Sequence, residues 1–188
     1  MTKSPLFFAI ICFLSSSPLK AQSDTTSVKT IKGVTDKMLE FISFEKDEVK
    51  DWDEYRNLFL PSARKTSIRP EAPRLSSQVR SMNIEEFVRY AGPNYPAKGF
   101  EEYAIGLDVQ EFNGIANVFQ SFYCKTPDGS YEARGINSFQ LVYLNDRWWI
   151  ASTMFINETE DIKLPNKYLF KEYQNCLLYT SPSPRDRG

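Results

Sequence analysis

The residues that could carry chemistry in this chain are constrained first by a residue type that it lacks. The 188-residue sequence contains no histidine, which excludes a Ser-His-Asp triad, a Cys-His pair and imidazole metal ligands. Of its three cysteines, only Cys124 lies away from the two ends of the chain. Any chemistry must therefore depend on carboxylates, Tyr, Lys, Arg or a lone nucleophile.

Motifs that bind cofactors or metals are also missing from the sequence. We find no phosphate-binding glycine loop, no zinc-protease motif and no calcium loop, and the eight glycines are mostly scattered. One cysteine and no histidine leave structural zinc and iron–sulfur clusters without ligands. We therefore expect no cofactor and no metal.

Polar and aromatic residues within predicted strands are the remaining candidates for ligand contacts. Tyr residues could donate a hydrogen bond to an oxyanion, and uncharged polar residues that interrupt apolar stretches could line the mouth of a pocket. The ordinary alternative is that each one is a satisfied strand residue or part of the core. Trp148 in particular is expected to pack. The predicted ligand-binding residues are Tyr103, Tyr123, Arg134, Asn137, Trp148 and Met154.

The elements that must position these residues begin with two helices. Apolar residues recur at helical spacing from Ile31, which predicts a first helix to about Phe44. Asp51 and Glu54 resemble a capping box, and they predict a short second helix that Pro61 ends.

A strand, a loop and a third helix are predicted next. Residues 63–68 can form a short strand, and residues 70–80 read as a polar loop with two prolines. Asn83 followed by Glu86 predicts the start of a third helix. Residues 92–99, which are rich in glycine and proline, predict a turn-rich connection.

Four consecutive strands are predicted over residues 100–157, the most informative part of the chain. In the first of them Tyr103, Ile105, Leu107 and Val109 alternate with Glu102, Ala104, Gly106 and Asp108. The turns are predicted at Asn113-Gly114, Pro127-Asp-Gly129 and Asn145-Asp146, so the later strands cover 115–125, 131–144 and 147–157.

The last strand predicts that both faces of the sheet are at least partly covered. It places Trp148, Ile150, Ser152 and Met154 on one face and Trp149, Ala151, Thr153 and Phe155 on the other. One face should pack on the helices. The other could form a homodimer surface, because broad exposed aromatic patches are rare.

Both ends of the chain are predicted to lie outside the folded domain. Lys3, the apolar run 6–14 and a cleavage site after Ala21 are typical of a secretory signal peptide over 1–21. Residues 176–188 resemble the translation of a sequencing adapter, with a genuine flexible tail as the alternative. The domain is therefore predicted over 22–160 with a truncated extension over 161–175, and the location as secreted or periplasmic.

The α-α-β-α-β-β-β-β order and three segments resemble the nuclear transport factor 2-like superfamily, particularly its SnoaL-like exported bacterial members. The segments are 51–63, the hairpin around Asn113-Gly114 and 146–152. The resemblance covers roughly residues 26–158. It implies an α+β cone, a curved antiparallel sheet wrapped on N-terminal helices, usually dimeric, with a pocket between sheet and helices.

The same resemblance suggests where an acid/base residue would lie. Ketosteroid isomerase and the SnoaL cyclase use an Asp in the cavity, but residues 61–68, where the isomerase has its base, contain no carboxylate. Asp108 is the only Asp in the interior of a predicted strand, so it is the catalytic candidate. The ordinary alternative is a solvated carboxylate.

Three functions remain open at this point, because fold does not select among them. The first is an exported, non-catalytic module that binds a small apolar or amphipathic molecule. The second is a cofactor-independent isomerase, cyclase or dehydratase, which requires a buried carboxylate of raised pKa beside a Tyr or Asn donor. The third is an interaction or dimerisation domain. No run of Lys or Arg indicates a nucleic acid partner, and no membrane span is expected after removal of the signal.

Overall fold

A curved, unclosed sheet of six strands organises the molecule. The computed structural model describes residues 26–69 and 78–174. The strands lie in the order β2-β1-β6-β5-β4-β3, and every neighbouring pair is antiparallel except β1 and β6, which are parallel. The strands are β1 Phe59–Arg69, β2 Gln78–Asn83, β3 Glu101–Phe112, β4 Ile115–Lys125, β5 Glu132–Leu144 and β6 Arg147–Asn157.

Side-chain caps fix where the helices begin. The Thr30 side chain accepts a hydrogen bond from the backbone of Gly33, and Asn83 and Glu86 form a reciprocal capping box. Asp51 accepts from the backbone of Asp53. The helices are α1 Ile31–Ile42, α2 Trp52–Arg56, α3 Ile84–Lys98 and a short α4 Lys171–Gln174.

The core lies between the helices and the concave face of the sheet. An aromatic cluster joins the helices, because the ring of Tyr55 lies 5.4 Å from that of Phe41 and 5.3 Å from that of Phe87. Val118, Phe139 and other strand residues supply the sheet side of the same cluster. This packing fixes the depth of α1 and α3 over the sheet.

A β-bulge in β3 decides which of its side chains enter the core. The β3–β4 register shifts between Ala104 and Gly106, so Ile105 is an extra residue. Ala104, before the bulge, and Leu107, after it, both pack in the concave core. Ile105 packs in a separate apolar cluster on the convex face. The predicted strict alternation along this strand is therefore wrong, because one extra residue reverses the faces.

A second bulge has the same effect in β6. The β5–β6 register shifts between Gln140 and Leu141, which leaves Ala151 as the extra residue of β6. Ile150 and Thr153 are both buried at about 0% and 1% exposure, while Met154 is 48% exposed. The predicted face that joined Ile150 to Met154 is therefore wrong.

The segment after β6 packs on the convex face. Leu164 and Leu169 form an apolar cluster with Ile105, and the backbone N–H of Phe170 donates to the Ile105 carbonyl at 2.8 Å. The contact is so close that a Cβ at Gly106 would lie 1.7 Å from the Tyr168 carbonyl oxygen. We call residues 164–173 the C-terminal strap.

The predicted α+β cone is confirmed, but two further local predictions are wrong. Residues 78–80, predicted as loop, belong to β2, which pairs with β1. Residues 92–98, predicted as turns, continue α3 through Pro93 and Pro96, and Gly99 with φ of 74° ends it. Tyr95 in this half of the helix packs its ring 5.1 Å from that of Phe100, so tertiary packing maintains the helix despite its prolines.

Two predictions concern the chain ends and lie outside the described residues, namely the signal peptide over 1–21 and the adapter-like tail over 176–188. Within the described residues, no helix is both long enough and apolar enough to cross a membrane.

Candidate ligand-binding site

Lys65 carries a charge into the concave core. It lies in β1 opposite Thr153 of β6, and only 4% of its surface is exposed. Its Nζ lies 4.7 Å from the ring centroid of Phe87, 5.7 Å from that of Phe155 and 4.0 Å from the Sδ of Met38. Aromatic faces and a thioether attract an ammonium group more weakly than a carboxylate does.

Glu102 supplies a carboxylate to the same side of the sheet. It is the second residue of β3 and faces Cys124, which is 2% exposed. The Nδ2 of Asn137, a buried residue of β5, donates to Glu102 Oε1 at 3.3 Å. Glu102 as a whole residue is partly exposed, but loss of solvation at its carboxylate dominates its electrostatics.

Burial shifts the pKa of both groups in the direction that favours the uncharged form of each. Loss of solvation raises the pKa of Glu102 to about 7, against the opposing effects of Lys65 and of the Asn137 hydrogen bond. Loss of solvation also lowers the pKa of Lys65 to about 8, against the opposing attraction of Glu102. Near neutral pH Glu102 therefore exchanges its proton readily, while Lys65 remains mainly protonated.

Two tyrosine hydroxyls lie within the electrostatic reach of Glu102. Burial raises the pKa of Tyr55 and of Tyr95 well above the ordinary value, and the Glu102 carboxylate adds to both shifts. Both hydroxyls therefore stay protonated and can donate. The Tyr55 Oη has no hydrogen-bond partner among the described residues.

The buried amide of Gln120 extends this polar group towards α1. Gln120 is fully buried and lies beside Asn137 across the β4–β5 ladder. Its Nε2 donates to Asp36 Oδ1 at 2.8 Å and to Thr35 Oγ1 at 3.2 Å. Two neighbouring buried amides thus each donate to one carboxylate, Gln120 to Asp36 and Asn137 to Glu102.

A cleft of about 710 Å³ opens over these two carboxylates. It lies between α1, the loop that follows it and the start of β3, and Phe170 of the strap borders it. Its apolar wall includes Leu39, Phe44 and Phe100. We call this the α1–β3 cleft. A molecule in it would contact both apolar side chains and ionisable oxygen atoms.

The chemistry available at this site is that of a carboxyl group among neutral donors. Glu102 can accept or release a proton and accepts a hydrogen bond from Asn137, while the hydroxyls of Tyr55 and Tyr95 belong to the interior next to it and do not line the cleft. Burial raises the pKa of Cys124 to about 12, so the thiol is not a thiolate nucleophile at neutral pH. Among the described residues, no cluster of carboxylate and cysteine side chains is arranged to hold a metal ion.

The structure gathers few of the residues that the sequence predicted for this site. Asn137 lies in the interior and bonds to Glu102, and Tyr103 borders the cleft. Tyr123 stacks on Tyr103 with ring centroids 5.4 Å apart. Trp148 packs in the core with its ring 5.3 Å from Tyr143.

The remaining predicted residues lie on the convex face. Asp108 is paired with Phe119, whose ring contacts Tyr168 of the strap at 5.3 Å, so the bulge leaves Asp108 on the side away from Glu102. The Nε of Arg134 lies 3.9 Å from Glu158, and Met154 is exposed. A catalytic role for Asp108 stays an untested prediction that the interior cluster does not support.

Sequence reasoning missed Lys65 and Glu102. Lys65 stands in a polar stretch between Arg64 and Thr66, and Glu102 was assigned to the same face as Asp108. The available signal was that a charged residue within a predicted strand needs a partner if its face of the sheet is buried. Nothing in the sequence indicates which of several charges that partner is.

Comparison with solved structures identifies the architecture. A nuclear transport factor 2-like superfamily protein from Salmonella enterica serovar Typhimurium LT2 aligns with a TM-score of 0.52 at 14% identity, over 72% of this chain and 93% of that one. The chain has the nuclear transport factor 2-like fold. A protein of unknown function with a cystatin-like fold from Nostoc punctiforme aligns with a TM-score of 0.50 at 8% identity, over 68% and 87%.

These similarities show the fold alone, because the identities are low. No protein-family model matches the chain, and no curated protein matches its sequence. The function must therefore be argued from the site.

Proposed function

We propose that this nuclear transport factor 2-like domain binds a small molecule in the α1–β3 cleft, with Glu102 as the principal polar contact. One observation carries the proposal: Glu102 borders the cleft while its carboxylate reaches inward to Asn137. A ligand in the cleft would therefore meet a carboxylate whose orientation the interior fixes. A positioned polar group beside an apolar wall is the usual composition of a small-molecule site.

Native mass spectrometry of the purified protein tests this proposal directly. We expect an additional mass that denaturation releases, or adducts with members of a small-molecule panel. Glu102→Gln should weaken this binding and Asp108→Asn, on the convex face, should leave it unchanged. A protein that carries no additional mass and binds no member of the panel would contradict the proposal.

Acid/base catalysis by Glu102 is a second candidate function. The favouring observation is that burial raises the pKa of Glu102 to about 7 in the neighbourhood of the Tyr55 and Tyr95 hydroxyls. A carboxylate of that pKa can abstract a proton next to a carbonyl, and a neutral tyrosine can donate to the resulting oxyanion. This would suit an isomerase, cyclase or dehydratase that needs no cofactor.

Proton exchange in D₂O distinguishes catalysis from binding alone. Ketone probes would be incubated with the protein, and loss of their α-proton signal followed by NMR. A catalytic Glu102 predicts exchange that accelerates as the pH rises through about 7 and that Glu102→Gln abolishes. Binding of the same ketones without exchange would reject the enzyme.

Export and dimerisation complete the proposal. The apolar run and the small residues before Gln22 support secretion, which the mass of the processed protein would test. Phe119 and Met154, 37% and 48% exposed on the convex face, support a homodimer through the sheet. Light scattering of Met154→Glu should then detect a monomer, whereas a monomeric wild type would refute the dimer.

A further inference from the structure

The wall of the α1–β3 cleft around Asp36 and Glu102 offers more acceptors than donors. Gln120 and Asn137 donate to the two carboxylates from beneath, at 2.8 Å and 3.3 Å. The Gln120 Oε1 is left without a partner among the described residues, although Gln120 is fully buried. A buried acceptor without a donor is unfavourable, and the same amide donates through its Nε2 to the Asp36 carboxylate.

The charges that border the cleft are mainly negative. Among the residues that the structure describes, six carboxylate residues line it against two lysines, Lys32 and Lys50. Lys32 pairs with Asp36. The Nζ of Lys50 donates to the backbone carbonyls of Glu40 and Ser43, and lies 3.6 Å from Glu48. The carboxylate residues are Asp36, Glu40, Glu45, Glu48, Glu101 and Glu102.

Short ion pairs compensate several of these carboxylates but not Glu102. Lys37 lies 2.9 Å from Glu40, and Lys125 lies 3.3 Å from Glu101. Glu102 receives the single amide hydrogen bond from Asn137 and a longer-range attraction from Lys65, which does not offset its loss of solvation. A second cation on the cleft side would therefore stabilise the ionised carboxylate.

The cleft also has an apolar and aromatic lining. Leu39, Phe44, Phe100, Ala104 and Phe170 border it. A ligand that satisfies both parts of the lining needs donors and positive charge at one end and a hydrocarbon body at the other. A protonated amine has three donors and no acceptor, which is the complement of the Glu102 and Asp36 carboxylates.

We propose that the α1–β3 cleft selects small protonated amines that carry an apolar group, with the ammonium group at Glu102 and Asp36. This inference rests on the proposed function and names the class of ligand. The apolar group lies against Phe44, Phe100 and Phe170. Carboxylic acids of the same size are repelled by the cleft, and alcohols lack the charge that Glu102 requires.

Three probes of equal length test the selectivity. Hexylamine, 1-hexanol and hexanoate would be titrated calorimetrically into the purified protein at pH 8, where the amine is protonated and Glu102 is mainly ionised. We expect hexylamine to bind at least about tenfold more tightly than either of the others, because the alcohol lacks the positive charge that strengthens a hydrogen bond to a carboxylate and hexanoate is repelled by it.

Two matched variants locate the effect within the cleft. Glu102→Gln should lower the affinity for hexylamine about tenfold and leave that for 1-hexanol unchanged. Glu45→Gln, on the same cleft but at an exposed position, should change neither by more than about twofold, because the remaining field is screened by salt. If Glu102→Gln does not fold, Asp36→Asn and the wild-type comparison provide the same test.

The outcomes separate this inference from the proposed function. Equal or tighter binding of 1-hexanol or hexanoate would overturn the selectivity for amines while supporting a small-molecule site. Absence of binding by all three probes would overturn it as well, and native mass spectrometry would then decide the fate of the proposed function. An equal loss of hexylamine affinity in Glu45→Gln and Glu102→Gln would reduce the cleft to a non-specific acidic surface and overturn the site.

Discussion

The two faces of the sheet differ in whether they bury charged side chains. The concave face buries Lys65 and draws the Glu102 carboxylate towards Asn137 beneath the helices. The convex face is sealed over β3 and β4 by the apolar residues of the C-terminal strap and leaves Asp108 partly exposed beside it. Buried charge is unfavourable unless it is compensated or used. From this difference we infer that the functional site lies on the concave face, whereas the strap on the convex face stabilises the fold.

One extra residue creates this division. Without the bulge at Ile105, Glu102 and Asp108 would lie on the same face of β3, because residues an even number apart share a face. The bulge turns Asp108 outward while Glu102 stays inward. A feature of the backbone, rather than the chemistry of either side chain, therefore decides which carboxylate can serve the site.

Core truncation should distinguish the two faces most strongly. Phe139 on the concave face has 0% exposure, so Phe139→Ala is expected to lower the free energy of unfolding by about 3–5 kcal/mol. Phe119→Ala on the convex face, where the ring is 37% exposed, should lower it by only about 1 kcal/mol. Urea denaturation measures both. Equal losses would mean that the convex face is as thoroughly packed as the concave one.

Displacing the strap should have the next largest effect. Gly106→Ala places a methyl group where the Tyr168 carbonyl lies 1.7 Å away, so we expect a loss of about 1–3 kcal/mol. Limited proteolysis should then cleave within 160–174 without altering the rest of the domain. Gly92→Ala is the control, because its added Cβ would have ordinary contacts at 3.6 Å with Trp52. A protease-resistant Gly106→Ala would show that the strap is not tightly packed there.

The buried pair predicts an unusual dependence of stability on pH. The folded-state pKa of Glu102 is raised from 4.5 to about 7, so stability should fall as the pH rises between these values. The folded-state pKa of Lys65 is lowered from 10.5 to about 8, so its contribution should rise again as the pH passes 8. We expect a minimum between pH 7 and 8, up to about 3 kcal/mol deep, because each group shifts by roughly two and a half pKa units.

Two variants identify which residue causes the fall in stability with pH and which causes the rise. Glu102→Gln should remove the decline between pH 5 and 7, and the rise should begin at a lower pH because Lys65 loses its carboxylate partner. Lys65→Met should remove the rise between pH 8 and 9. Thermal unfolding across the pH range measures both. A wild-type profile that is flat from pH 5 to 8 would refute the buried ionisation of Glu102.

The smallest effect is expected at Asp108. Asp108→Asn should change the free energy of unfolding by less than about 0.5 kcal/mol, because the side chain is partly exposed on the convex face. Ligand binding in the α1–β3 cleft should be unaffected. A loss of binding as large as that of Glu102→Gln would show that Asp108 contributes to ligand binding. Function would then not be confined to the concave face.

The meander was predictable because its signals are local. Asn113-Gly114 and Asn145-Asp146 adopt positive φ values, 44° and 85° in the first pair and 53° and 59° in the second. Two-residue hairpins require this conformation, and Asn, Asp and Gly tolerate it. The observed strands 115–125 and 147–157 therefore have the predicted bounds. The start of α3 predicted from Asn83 and Glu86 was equally local, and it is confirmed by the capping box that these residues form.

The features that the sequence did not reveal depend on contacts between distant residues. β2 has no apolar alternation and is held at the sheet edge by its pairing with β1. Pro93 and Pro96 predicted turns, but the packing of Tyr95 against Phe100 keeps the segment helical. Neither bulge has a glycine or proline at its extra residue, so neither was detectable. The faces of β3 and β6, and hence the site, were beyond local reasoning.

The parallel pairing of β1 with β6 sets the order in which the molecule can be completed. β1 ends at Arg69 and β6 begins at Arg147, so nearly the whole meander must exist before the first strand finds its inner neighbour. During synthesis, Lys65 is made before β6, the strand that encloses it, and the helices at first cover only part of the sheet. Such non-local closure slows folding and prolongs exposure of unpaired strand edges. The domain should therefore become resistant to protease only after residue 157 has left the ribosome.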